Sequence, residues 1–68
     1  MSWKSLELHF VYFEPGFDPD LVAYVCESFP DADFMYGDDY ARFHGPGESF
    51  EGFKRALSHF GLKIKHSR

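Results

Sequence analysis

The stretch LELHFVYFEPGFDPDLVAYVCESFP, residues 6–30, sets two apolar periods side by side, and its reading decides the fold. Leu6, Leu8, Phe10 and Tyr12 alternate with Glu7, His9, Val11 and Phe13. A period of two, rich in aromatic and branched side chains, predicts a strand. Glu14-Pro15-Gly16 ends it as a turn. Beyond the turn the period lengthens, and Leu21, Val22, Val25, Cys26 and Phe29 fall on one helical stripe. Asp18 suits the cap of that helix because its carboxylate can accept an otherwise unpaired backbone N–H. Pro19 suits the first helical position, having no N–H to lose. Pro30 stops the helix.

Working outward, residues 32–36 and 40–44 read as two short strands around the loop Gly37-Asp38-Asp39. Phe34 and Tyr36 share one face of the first, Ala41 and Phe43 one face of the second. Gly45-Pro46-Gly47 breaks the chain. A second helix follows on Phe50, Phe53, Leu57 and Phe60, with Gly61 placed to cap its C-terminus. Residues 62–65 alternate again and predict a last strand with Leu62 and Ile64 inward. The order strand, helix, strand, strand, helix, strand over one domain, residues 1–68, predicts an α+β, ferredoxin-like βαββαβ fold. Right-handed crossovers give the sheet order 4-1-3-2, with both helices on one face and the other face open.

Composition narrows the function classes. Aromatic residues make up 21% of the 68 residues, which excludes a disordered tail. A single cysteine excludes a disulfide framework and a four-cysteine zinc site. No apolar run approaches the roughly 20 residues that span a bilayer, and no basic-then-apolar leader opens the chain. The expectation is a cytoplasmic protein that does not engage a membrane. A net charge of −4 argues against direct nucleic-acid binding.

That average hides a division. Residues 1–40 carry nine acids and one base, residues 41–68 two acids and six bases. The topology gathers Glu14, Asp18, Asp20, Asp38 and Asp39 at one end, and Asp31 and Asp33 extend the negative region along the first helix and the adjoining edge strand. Local structure accounts for some of these acids, since Asp18 caps, Asp20 favours the helix dipole and Asp38-Asp39 suit a turn. As a surface, the seven acids fit a protein partner with a basic, nucleic-acid-handling face. The leading expectation is an inhibitor or adaptor that mimics nucleic acid, such as a phage or mobile-element inhibitor of a host defence complex.

The open sheet face is the alternative contact surface. Taking Leu6, Leu8, Phe10 and Tyr12 as inward, parity leaves Glu7, His9, Val11 and Phe13 on it, joined by Asp33, Met35, Tyr40, Arg42 and His44. Lys63 and Lys65 follow from the last strand, with Met1-Ser2-Trp3 and the C-terminal tail available to cover the face. Such a face suits a homodimer or a small ligand. Aromatics on the central strands resemble the base-stacking sheets of RNA-recognition domains, but the Lys/Arg-Gly-aromatic-Gly/Ala-Phe motif of that family is absent.

No catalytic motif is present, and the expectation is a protein that is not an enzyme. His9 and His44 could meet across the central strands with Glu7 nearby, a donor set that can hold a metal. Exposed sheet histidines more often hold none, and neither a metal nor a cofactor is expected. Cys26 lies in an apolar stripe, where a thiol is inert. Gly45-Pro46-Gly47 lacks the lysine of a phosphate loop, and Pro46 removes a donor.

Overall fold

The computed structural model describes residues 5–68. Six elements follow the expected order: β1 (Leu6–Phe13), α1 (Pro19–Glu27), β2 (Asp33–Tyr36), β3 (Tyr40–Pro46), α2 (Gly47–His59) and β4 (Ile64–Ser67). All pairings are antiparallel and the sheet runs β2-β3-β1-β4, the ferredoxin-like order 4-1-3-2. No helix among the described residues is long and apolar enough to cross a membrane.

The helix ends form as their residues dictate. The Asp18 carboxylate accepts the Asp20 N–H at 2.9 Å, and Pro19 opens α1. At the end of α2, Gly61 takes φ +82°, a left-handed conformation that a side chain would strain. Its N–H donates to the Ser58 carbonyl and that of Leu62 to the Leu57 carbonyl, both at 3.0 Å, so the last turn's orphan acceptors are met.

Two boundaries move. Residues 45–47 make no separate loop: β3 continues to Pro46, opposite Leu6, and α2 starts at Gly47. Pro46 sits where the ladder asks nothing more of its missing N–H, and its φ of −59° and ψ of 132° join the strand to the helix directly. The last strand starts later than residue 62 and runs further, to Ser67. Arg68 extends the pairing by exchanging two backbone hydrogen bonds with Phe10, at 2.6 and 2.8 Å. A bulge at Lys65 sets Ile64 opposite Phe13 and His66 opposite Tyr12. His66 rather than Lys65 therefore stands beside Tyr12 on the uncovered face, where their rings stack at 4.4 Å.

The core lies between the sheet and the helices. Val22, Val25 and Cys26 of α1 and Phe50, Phe53 and Leu57 of α2 close over Ala41 and Phe43. Phe43 touches Phe34, Phe50 and Phe53 at centroid distances of 5.2–5.7 Å, tilted or edge-on, the geometry that ring quadrupoles favour.

The parity of β1 is the reverse of the expected one. Val11 is 0% exposed and Phe13 2%, whereas Leu6 is 65% and Leu8 53% exposed. Directly opposed residues share a face, and Val11 is opposite Ala41, His9 opposite Phe43. Because Ala41 and Phe43 lie under the helices, so do His9, Val11 and Phe13, and none of the three belongs to the open face. Both alternating sets of β1 carry apolar residues, so period two alone does not choose between them. Packing chooses: burying the even set would place the Tyr12 hydroxyl in the core, whereas on the open side it accepts a hydrogen bond from Arg68 at 3.2 Å.

Candidate binding surfaces

With β1 in this orientation, the open face is built row by row from opposed residues. Asp33, His44 and Leu8 form one row, Met35, Arg42 and Phe10 the next. Tyr40, Tyr12 and His66 form the third. Phe10, Tyr12 and Tyr40 make a three-ring cluster with centroids 5.8–6.4 Å apart. The Arg68 guanidinium lies 5.6 Å from the centre of the Tyr12 ring, a cation–π contact. The C-terminal residue thus covers part of the face, as expected of the tail; Met1-Ser2-Trp3 lie outside the described residues. Leu6, Leu8 and Met35 remain more than half exposed. Arg42 lies between Phe10 and Met35, and its Nε is buried with no hydrogen-bond partner.

Of the residues of β1, β2 and β3 assigned to this face from sequence, Asp33, Met35, Tyr40, Arg42 and His44 are on it and Glu7, His9, Val11 and Phe13 are not. Leu6, Leu8, Phe10, Tyr12 and His66 lie on the face without having been expected there. The usable signal was the Tyr12 hydroxyl, which favours water or a partner over a core.

His9 and His44 face opposite sides of the sheet, so they cannot share a metal ion. No cluster of three or more His, Cys, Asp or Glu side chains able to hold a metal occurs among the described residues. His9 stacks on Phe50 and bonds through Nε2 to Glu7 Oε1 at 2.7 Å. The Glu7 carboxylate lies where a side chain at position 47 would be, beside the start of α2, where the helix dipole favours an anion.

The seven acids divide between two ends. The Asp39 carbonyl accepts the Phe13 N–H at 2.8 Å, which fixes the β2–β3 hairpin beside the exit of β1. Asp38 and Asp39 therefore share an end with Glu14, Asp18 and Asp20. Asp31 and Asp33 belong to the other end of β2. There Asp31 accepts a hydrogen bond from the Ser49 hydroxyl at 2.9 Å, and Asp33 opposes His44 on the open face. These two stand at the opposite end of β2 from Asp38 and Asp39.

Beside the acidic end, a cleft of about 250 Å³ opens between α1 and the hairpin, lined by Phe13, Phe17, Pro19, Val22, Ala23, Tyr36, Gly37 and Tyr40. Gly37 lets the Tyr40 ring lie against the backbone there, and a Cβ at this position would displace that ring. Nearby, burial pushes the Cys26 thiol above its ordinary value, with the Tyr36 hydroxyl as donor partly offsetting the rise. Tyr36 is itself pushed up to about 12, first by desolvation and then by Cys26 and Glu27. A buried thiol held protonated is a poor nucleophile.

Comparison with protein-family models, with curated proteins and with solved structures returns no match to this chain.

Proposed function

We propose that this chain is a non-enzymatic binding module whose sheet face away from the helices contacts a protein partner. One observation carries the reading: three apolar side chains more than half exposed adjoin the Phe10–Tyr12–Tyr40 cluster and Arg42. Isolated exposed leucines need no explanation, but a contiguous patch of this kind marks a contact site. Aromatic residues, methionine and arginine are the types enriched where protein interfaces hold their binding energy. Arg42 and Arg68 outnumber the one acid of the face, Asp33. A second copy of the chain would bring cations against cations, so the face calls for a different protein, one with apolar side chains and carboxylates.

A second reading rests on the acidic end. There Glu14, Asp18, Asp20, Asp38 and Asp39 flank an apolar cleft, and the chain acts as an inhibitor or adaptor on a basic protein surface. Photo-crosslinking separates the two. A photoreactive residue is placed at Leu8, at Asp38, or at Tyr24 on the outer side of α1. Adducts in native extract from position 8 alone support the sheet face; adducts from position 38 alone overturn it in favour of the acidic end. An adduct from position 8 at twice the chain's mass assigns the face to self-association and overturns the choice of a different protein.

A further inference from the structure

We propose that the cleft between α1 and the β2–β3 hairpin receives a lysine side chain presented by a protein partner. The cleft adjoins the sheet face through Tyr40, which belongs to both, and its occupant goes beyond that reading. Its walls are apolar and aromatic, with Phe17, Pro19 and Val22 on one side and Tyr36, Gly37 and Tyr40 on the other. The residues that adjoin this lining in the chain are anionic. Asp18 and Asp20 bracket Pro19 in the chain, and Asp38 and Asp39 fill the loop between Gly37 and Tyr40. None of the four forms an ion pair among the described residues.

A lysine side chain has the matching construction, an apolar four-carbon stem tipped by an ammonium group. The stem takes the place of water against Phe17, Pro19 and Val22. The ammonium stays at the mouth, close to tyrosine rings that attract cations and to carboxylates that offset its charge. An uncharged apolar group would fill the same walls and gain nothing from the acids.

The test is a titration of the ¹⁵N-labelled full chain, followed by amide NMR shifts, with two capped tripeptides. One is Ala-Lys-Ala; the other carries norleucine in place of lysine, which keeps an unbranched apolar chain and removes the charge. The lysine peptide is expected to shift the amides of Ala23 and Gly37, with the norleucine peptide binding about fivefold more weakly or worse. Raised salt should weaken the lysine peptide alone. An Asp38→Asn, Asp39→Asn variant, whose changes lie on an exposed loop and spare the core, should lose about threefold in affinity for the lysine peptide. Equal binding of the two peptides, or no shift at Ala23 and Gly37, overturns the proposal. Either result leaves the crosslinking at positions 8 and 38 to be judged by itself.

Discussion

The His9 imidazole lies flat on the Phe50 ring, with centroids 3.9 Å apart and planes 4° from parallel. The stack joins β1 to α2 at the rim of the core and shows the odd-numbered residues of β1 turned towards the helices over the length of the strand. Replacing His9 by Ala removes the stack and the bond to Glu7, for an expected loss of about 1 kcal/mol. His9→Phe keeps the ring and should recover most of it. Urea midpoints of the three proteins measure the difference.

The same parity sets two contrasting costs. Phe13 is almost wholly buried beside Phe17, so Phe13→Ala should cost about 3–5 kcal/mol, enough to unfold much of a domain this small. Leu8→Glu places a charge on an exposed position and should stay within about 0.5 kcal/mol of the parent. Equilibrium unfolding gives both values. Similar costs at the two positions would contradict the orientation of β1.

Most of the fold was legible because its signals were local. Asp18-Pro19 opened α1, the stripe from Leu21 to Phe29 set its buried side, and Gly61 closed α2. Each depends on residues within a turn or two. The orientation of β1 depends instead on its partner in the sheet. With apolar residues in both alternating sets, a shift of one position exchanges the faces, and beyond the hint of the Tyr12 hydroxyl it is pairing with Ala41 and Phe43 that settles it. The site suffered most from this, since Val11 and Phe13 were placed outside while Phe10 and Tyr12 were placed inside. The bulge at Lys65 was equally hidden, because no residue of the last strand announces it. The acidic residues were read correctly as local caps and turns at Asp18 and Asp39. Asp31 and Asp33 stand at the other end of β2 from the hairpin acids, a separation set by strand length rather than by any local signal.

Alkaline titration probes the buried side of β2. Burial raises the Cys26 thiol above its ordinary value, and Tyr36 is raised from 10.0 to about 12, so both hold their protons more tightly folded than unfolded. The stability this confers is present below the ordinary values and is lost as pH climbs past them towards the folded ones. The protein should lose stability between about pH 8 and about pH 11, and Tyr36→Phe should lose less over the same interval. Because Tyr36 is half exposed, solvent screening keeps its share small. Urea unfolding at the two pH values measures the effect, and a steeper loss in Tyr36→Phe would reverse the assignment.

The proposed contact face exists only if β1 turns Leu8 outward and Val11 inward. Thiol labelling tests that most directly: Leu8→Cys and Val11→Cys are made separately, and maleimide reaction rates are compared under native conditions, with buried Cys26 as the internal slow reference. The expected result is a Leu8→Cys thiol that reacts within about tenfold of an unstructured peptide, and a Val11→Cys thiol that reacts only through opening of the fold. A fast thiol at position 11 and a protected one at position 8 would contradict the account.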